Sequence, residues 1–212
     1  MAILKETENG LMLCDGELSM MGDFTKEIPR LKRGVIGTEL LVKACKIKNK
    51  DNPTVLDATA GMGEDSLLLA AAGFSVQMYE YNPVIAALLR DTMKRAMEDE
   101  FLGPIVERMT LTEGDSIRAM KEMKPDEAPD VILLDPMFPE RTKSALIKKK
   151  FQLIHTLESP CENEGEMLNA AMTLKPKKLV IKRPLKGATL AGVKPSYSLN
   201  GKAIRYDVIV NM

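Results

Sequence analysis

Short apolar runs alternate with amphipathic stretches through most of this chain. Thr54 to Leu56, Phe74 to Tyr79, Met109 to Glu113, Val131 to Leu134 and Leu179 to Ile181 read as strands, each closed by a polar or proline-bearing turn. Val131-Ile-Leu-Leu134 is apolar at every position, the mark of a strand buried on both faces of a parallel sheet. Between these runs lie an Ala- and Leu-rich helix beginning near Ser66, a long helix from Val84 to about Glu98 with Pro83 in its first turn, a shorter one from Ile117 to Met123, and one running through Phe151 to Leu157. Strand and helix alternate from Thr54 to Ile181, which predicts an α/β fold with a mostly parallel sheet. Tyr206 to Val210 reads as a last strand, with Tyr197 to Ile204 as its partner around Asn200-Gly201, so the C-terminal edge should be antiparallel. Upstream, Gly10 to Cys14 and Glu17 to Met21 form a short hairpin turning at Asp15-Gly16, and Thr38 caps a helix with apolar positions at Leu40, Leu41, Ala44 and Ile47. No repeat or low-complexity linker interrupts the pattern. Residues 1–38 are therefore expected to be a small N-terminal extension, and residues 39–212 one domain.

Composition narrows the class. A length of 212 residues suits one sizeable domain. Lys plus Arg and Asp plus Glu are both 30, a formal net charge of zero, so a nucleic-acid footprint would have to be local. No apolar run approaches the ~20 residues of a membrane span. The start, Met1-Ala-Ile-Leu-Lys-Glu-Thr-Glu, lacks the basic-then-apolar pattern of a secretory signal, and the cytoplasm is the expected compartment. Cys14, Cys45 and Cys161 are odd in number and widely separated, which reads as neither a disulfide framework nor a zinc motif. The single His155, beside Ile154 in a helical stretch, reads as a packed structural residue. No metal site is expected.

The candidate chemistry gathers where the strands end. In a parallel α/β sheet the carboxyl ends of the strands form the ligand crevice, and Asp57, Glu80, Asp115, Asp135 and Lys182 all fall there. The first of these strands runs into Asp57-Ala-Thr-Ala-Gly61-Met-Gly63-Glu64-Asp65-Ser66, a glycine-bearing turn at a helix start. Small residues in such a turn let a ligand approach the backbone. Glu80 ends the next strand at close to the ~20-residue spacing of an acid that hydrogen-bonds a ribose. A dinucleotide would want a third glycine and an open helix N-terminus for its pyrophosphate. Here Ser66 takes the third position, and Glu64 and Asp65 would repel a phosphate. A cofactor with an ammonium group, a sulfonium and no phosphate fits better, and S-adenosylmethionine is that cofactor. Asp115, in Gly114-Asp115-Ser116, is positioned to touch an adenine amino group and equally to cap the helix that follows.

Pro136 and Pro139 cannot donate to a ladder, so the buried strand stops at Asp135 and a stiff turn holds that acid beside Phe138. The pairing suits a flat base that carries an amine: the ring stacks, while Asp135 and the carbonyl next to it accept the two N–H groups. An exocyclic amine is conjugated with its ring and is a poor nucleophile. Two acceptors on its hydrogens favour a pyramidal nitrogen whose lone pair can attack a methyl donor. Arg141, Lys143, Lys148, Lys149 and Lys150, with Lys182 and Arg183, supply cations for RNA phosphates, and Lys32 and Arg33 could join them.

Taken in order, Asp57-Ala-Thr-Ala-Gly-Met-Gly63, Glu80-x-Asn82-Pro83, Asp135-Pro-Met-Phe-Pro139, Lys143-Ser-Ala-Leu-x-Lys-Lys149 and Lys182-Arg-Pro184 resemble the class I S-adenosylmethionine-dependent methyltransferases that modify N2 of a guanine in small-subunit (16S) ribosomal RNA. The resemblance covers roughly Glu39 to the C-terminus, and Asp-Pro-Met-Phe-Pro followed by Lys-Ser-Ala-Leu is its most specific part. It implies a Rossmann-like fold, S-adenosylmethionine as cofactor, and ribosomal RNA or the small ribosomal subunit as partner. It also implies a cofactor pocket on Glu64-Asp65, Glu80-Tyr81, Asp115-Ser116 and Asp135, beside Asp57, Gly61 and Gly63. The catalytic roles fall to Asp135, Pro136 and Phe138. The chain departs from the family pattern in two places: a basic residue is usual where Glu64 stands, and the N-terminal region is usually longer. Two other readings share part of the pattern. A methyltransferase for another amine, adenine N6 or a glutamine side chain, uses the same Asp-Pro-x-aromatic turn, and a non-catalytic RNA-binding or ribosome-assembly protein could be built on the same fold.

Overall fold

The N-terminal hairpin expected around Asp15-Gly16 is part of a three-stranded antiparallel sheet, β1 (Ile3–Thr7), β2 (Gly10–Asp15) and β3 (Leu18–Met20). The computed structural model describes residues 2–16, 18–136 and 163–211. Phe138, Pro139, Arg141, Lys143, Lys148, Lys149, Lys150, His155 and Cys161, with the helix expected from Phe151 to Leu157, lie outside the described residues. β1 carries Lys5 and Glu6 and is exposed along most of its length, so it has no apolar alternation to announce it.

Two short helices follow, α1 (Ile28–Leu31) and α2 (Leu40–Cys45). Thr38 is not the cap of α2: its hydroxyl donates to the Val35 carbonyl at 2.7 Å, inside a 3-10 turn, and Glu39 is the residue at the helix start. The far end of α2 is satisfied at long range, where Lys178 Nζ donates to the carbonyls of Ala44 (2.9 Å) and Lys46 (2.8 Å). Cations suit a helix C-terminus because the last carbonyls carry partial negative charge.

The remaining elements are β4 (Thr54–Asp57), α3 (Glu64–Ala71), β5 (Ser75–Glu80), α4 (Pro83–Ala96), α5 (Gly103–Val106), β6 (Met109–Glu113), α6 (Ser116–Glu122), β7 (Val131–Leu134), α7 (Glu164–Thr173), β8 (Lys178–Pro184), β9 (Tyr197–Asn200) and β10 (Ile204–Val210), and they follow the predicted alternation except for α5 and α7, which stand where the hydrophobic pattern predicts no helix. The strands form a seven-stranded sheet in the order β6-β5-β4-β7-β8-β10-β9. β6 through β8 are parallel, and β10 pairs antiparallel with both β8 and β9. This is the mostly parallel sheet with an antiparallel C-terminal edge that the alternation of strands and helices predicts. The strand order turns back at β4, and such a switch point opens a crevice at the carboxyl ends.

Side-chain parity decides what faces that crevice. Alternate residues of a strand point to opposite faces. Val55, Val76, Met78, Leu133, Val180, Tyr206 and Val208 join one core cluster with Leu41 of α2 and Leu67 and Leu68 of α3. Leu56, Ile132, Leu134, Leu179 and Ile181 pack on the other face against Met120 of α6 and Leu168 and Ala171 of α7. The N-terminal sheet packs Leu13 and Met20 against Ile85 and Leu88 of α4 and Met62 of the glycine-bearing turn. Phe24 and Leu31 enter the larger core cluster beside the sheet. No helix among the described residues is long and apolar enough to cross a membrane.

The amino ends of the strands are tied by one buried acid. Asp130 accepts from the Thr54 amide (2.9 Å) and hydroxyl (3.1 Å) and pairs with Lys50 (2.7 Å) and Lys177 (2.9 Å). Burial alone would raise its pKa, but Lys50, the Thr54 amide and Lys177 outweigh it and hold the carboxyl well below its ordinary value of 3.8. A carboxyl whose pKa is depressed on folding contributes stability that is present above its unfolded pKa and lost as pH falls towards its folded one. Asp130→Asn should therefore cost about 1–3 kcal/mol at neutral pH, and its urea midpoint should converge on that of the unmodified chain as pH falls below 4. A constant gap between the two at every pH would exclude this role.

Gly61 (φ 53°) and Gly63 (φ 75°) both occupy the left-handed region, but their surroundings differ. A Cβ on Gly63 would lie 2.6 Å from Leu89 Cδ1, whereas one on Gly61 would meet nothing within 4 Å. Gly61→Ala should thus cost only the left-handed backbone term, roughly 1–2 kcal/mol, and Gly63→Ala clearly more. Chemical denaturation of the pair checks the order.

Candidate active site

The crevice is lined by carboxylates because of where the strands stop. Counting by twos from Val55, Met78 and Leu133 puts Asp57, Glu80 and Asp135 on the α3 side of the sheet, and Lys182 follows Val180 onto the same side.

Asp57 is fully enclosed. Its Oδ2 accepts from the Ser66 hydroxyl at 2.6 Å and its Oδ1 from the Thr59 amide at 3.1 Å. Burial pushes its pKa up to about 7, against those two hydrogen bonds, with the negative charges of Asp65 and Asp135 adding to the rise. Its contacts therefore make it the brace of the turn and of the start of α3. Glu80 braces the same turn from the next strand: one oxygen accepts from the Gly61 amide (2.9 Å), the other from the Asn82 amide (2.8 Å). Burial raises its pKa while these amides pull it down. Asn82 in turn caps α4 by accepting from the Val84 amide at 2.9 Å. Tyr81, beside Glu80, is 78% exposed.

Asp115 caps α6, accepting from the amides of Ile117 (2.8 Å) and Arg118 (3.4 Å), and Ser116 behind it is buried. The carboxylate stays exposed, so the cap and a ligand contact are compatible. Glu64 and Asp65 occupy the first turn of α3.

Asp135 follows β7 directly. Its amide donates to the Thr59 hydroxyl at 2.7 Å, its side chain is 36% accessible, and Pro136 beside it is buried. Lys182 lies between two acids, 2.9 Å from Asp135 Oδ2 and 2.7 Å from Asp65 Oδ2. Burial raises the pKa of Asp135 and the Lys182 charge opposes the rise. For Lys182, burial works against the charged form but the two carboxylates outweigh it, and its pKa stands above the ordinary lysine range.

Two expectations about RNA contacts change here. Lys182 is 24% exposed and committed to two acids, so its charge is neutralised inside the site. Arg183, one position on, points to the opposite face: it is 5% exposed, donates to the Ala188 carbonyl at 2.8 Å and pairs with Glu164 of α7 at 3.3 Å. A phosphate contact needs an exposed cation, and neither residue supplies one. The basic-looking Lys182-Arg183 pair is split by strand alternation into separate ion pairs on the two faces of the sheet. Sequence reasoning also passed over Thr59 and Ser66, which orient Asp135 and Asp57. The signal was available, since hydroxyl residues in a small-residue turn commonly serve the backbone and neighbouring acids.

The residues present fit S-adenosylmethionine. The turn at Gly61 faces open space, and the side chains around it are carboxylates, which suit a cofactor carrying two positive centres. Among the described residues no group of three or more His, Cys, Asp or Glu side chains is arranged to hold a metal ion.

Comparison with known proteins agrees. The family model described as "Putative SAM-dependent methyltransferase" matches residues 4–211. The ribosomal RNA small subunit methyltransferase J of Nitrosococcus oceani is 41% identical over 179 residues, covering 84% of this chain and 70% of the relative. The enzyme of the same name from Pseudomonas fluorescens is 44% identical over 170 residues, covering 80% of this chain and 65% of its own length. The matched part is thus about two thirds of each relative. A solved structure, the SAM-dependent methyltransferase from Neisseria gonorrhoeae, superposes with a TM-score of 0.80 at 31% identity, covering 99% of this chain and 83% of the other. An rRNA methyltransferase from Streptomyces viridochromogenes shares the fold at 15% identity, with a TM-score of 0.57 over 87% of this chain and 93% of its own. With the strand order, the acid-lined crevice and these matches together, the chain belongs to the S-adenosylmethionine-dependent methyltransferases, in the ribosomal RNA small subunit methyltransferase J family.

Proposed function

We propose that this chain transfers a methyl group from S-adenosylmethionine to an exocyclic base amine, N2 of a guanine in small-subunit ribosomal RNA. The observation that carries the reading is Asp135, a partly accessible carboxylate at the carboxyl end of a fully buried strand, with one oxygen gripped by an ammonium. The relatives point to the RNA: each is named as a small-subunit ribosomal RNA methyltransferase.

When bound, the cofactor supplies an electrophilic methyl group on a sulfonium. Everything else falls to the chain. Glu80 receives the ribose hydroxyls, since a carboxylate that accepts two amides retains further lone pairs. Asp115 receives the adenine amino edge, Glu64, Asp65 and Tyr81 complete the pocket, and Asp57 and Ser116 brace it from behind. Asp135 Oδ1, with the backbone at Pro136, accepts the two hydrogens of the amine, and Phe138 stacks on the base. A bound S-adenosylmethionine would supply its methyl group to the nitrogen lone pair that Asp135 and Pro136 expose, leaving as the neutral thioether, and the Asp135 carboxylate would accept the proton that the nitrogen then gives up. No covalent enzyme intermediate is required, and placement of two bound reactants provides much of the acceleration. Arg141, Lys143, Lys148 and Lys149, just after the Asp135 turn in sequence, provide phosphate contacts on a chain whose net charge is zero.

Mass mapping of ribosomal RNA nucleosides from cells with and without the protein tests the reading, with tritiated methyl transfer onto RNA, DNA and protein fractions as its companion. Loss of one N2-methylguanine is expected; label on adenine or on protein would replace this assignment with another amine, and no label anywhere would remove the activity. Asp135→Ala should lower kcat by about 10²-fold or more, because it deletes both an acceptor and the charge that stabilises the nitrogen as it becomes cationic. Near-normal turnover in that variant would refute the catalytic role. Glu80→Gln should weaken cofactor binding by roughly tenfold in calorimetry, the scale of one charge-assisted hydrogen bond, and an unchanged Kd would move the ribose contact elsewhere.

A further inference from the structure

Lys182 has no task in the reaction as drawn, yet its surroundings are specific. It sits on β8 with its ammonium 2.7 Å from Asp65 Oδ2 and 2.9 Å from Asp135 Oδ2, three-quarters shielded from solvent. Asp65 comes from the start of α3 and Asp135 from the end of β7, so the lysine ties the start of a helix to the end of a strand. Among the described residues the charged and titratable groups around Asp135 are Asp57 on β4, Asp65 on α3, Lys182 and Arg183 on β8 and Tyr206 on β10. Arg183 pairs with Glu164 and donates to Ala188 on the other face of the sheet, and among the described residues Lys182 is a cation paired with Asp135. Two negative neighbours and burial disfavour a charged Asp135, and a protonated carboxyl would offer the amine one acceptor fewer and leave the cationic nitrogen without a counter-charge.

We propose that Lys182 is a positioning residue for methyl transfer: its ammonium, anchored by Asp65, fixes Oδ2 of Asp135 and keeps that carboxylate charged, so that Oδ1 is presented to the amine of the base. The role rests on the methyl-transfer reading given above. It differs from a phosphate contact, which would act through RNA affinity, and from a purely structural ion pair, which would act through stability.

The test is a carboxyl-carbon NMR titration of the cofactor-free chain labelled at Asp, with the Asp135 resonance assigned by its loss in Asp135→Asn. In Lys182→Gln, which keeps length and a hydrogen-bond donor but not the charge, the midpoint should rise by about 1–3 pH units, the effect of losing one close opposite charge. The acid limb of the kcat profile should move with it, so that kcat falls about tenfold at pH 6 and approaches the unmodified value near pH 9. Lys182→Arg should restore both. An unmoved midpoint, or a uniform loss of kcat at every pH, would overturn the proposal. Should Lys182→Gln fail to fold, Lys182→Met carries the same titration, with a raised midpoint expected and an unmoved one overturning the proposal. The titration needs neither cofactor nor RNA. A chain that methylates nothing while the midpoint moves as expected would discard the reaction and keep the coupling, whereas a chain that methylates RNA with an unmoved midpoint would discard the Lys182 role alone.

Discussion

A lysine ammonium wedged between two carboxylates joins the start of α3 to the ends of β7 and β8, and the geometry of the crevice depends on it. Three charges in a partly enclosed site are costly to desolvate, and one lost partner would leave like charges facing each other. The arrangement persists because each member is held from behind. Asp135 is fixed through its amide by Thr59, Asp65 rides on a helix whose neighbouring Ser66 is bonded to Asp57, and Lys182 lies within a strand paired on both sides. The surplus of negative charge that remains is what a cationic cofactor would find attractive, and it is the same feature that makes a diphosphate a poor fit.

The glycine-bearing turn is held just as firmly, from two directions. Glu80 accepts from the Gly61 amide, so the end of one strand is bonded to the turn after another. From outside, the N-terminal sheet covers Met62, and Phe24 reaches the core beside Gly63, where an added Cβ would meet Phe24 Cζ at 3.3 Å. Arg95 of α4 donates to the Gly22 carbonyl at 2.7 Å, tying the same segment to the helix that follows Glu80. The first residues of the chain therefore buttress the glycine-bearing turn, a role not visible in their own sequence.

Charged residues on the opposite face follow a separate logic. Arg205 binds Asp207 through two nitrogens at 2.9 and 3.0 Å and donates to the carbonyls of Pro184, Leu185 and Gly187. That network sets the path of the chain leaving β8 and, with Arg183 on Ala188, keeps the segment after Lys182 in register. Adjacent strand residues thus serve two ends, Lys182 the crevice and Arg183 the loop, because alternation sends them to different faces.

The sequence by itself determined the alternation of strands and helices from Thr54 onward, the antiparallel last edge, and the set of acids at strand ends, because each is written in windows of a few residues by apolar period and by glycine and proline. It determined the family as well, through motifs of the same local kind. What only the tertiary structure decided were partnerships between distant residues: Lys182 with Asp65 across 117 positions, Lys50 with Asp130 across 80, Thr59 with Asp135 across 76. The exposed strand β1 belongs to the same category, since edge pairing overrides local propensity there, whereas Thr38 is drawn away from the cap by a local bond to the Val35 carbonyl. Whether a lysine is a surface cation or the central charge of a site depends on which face its strand turns inward and on what another element brings to meet it, and no local pattern encodes that.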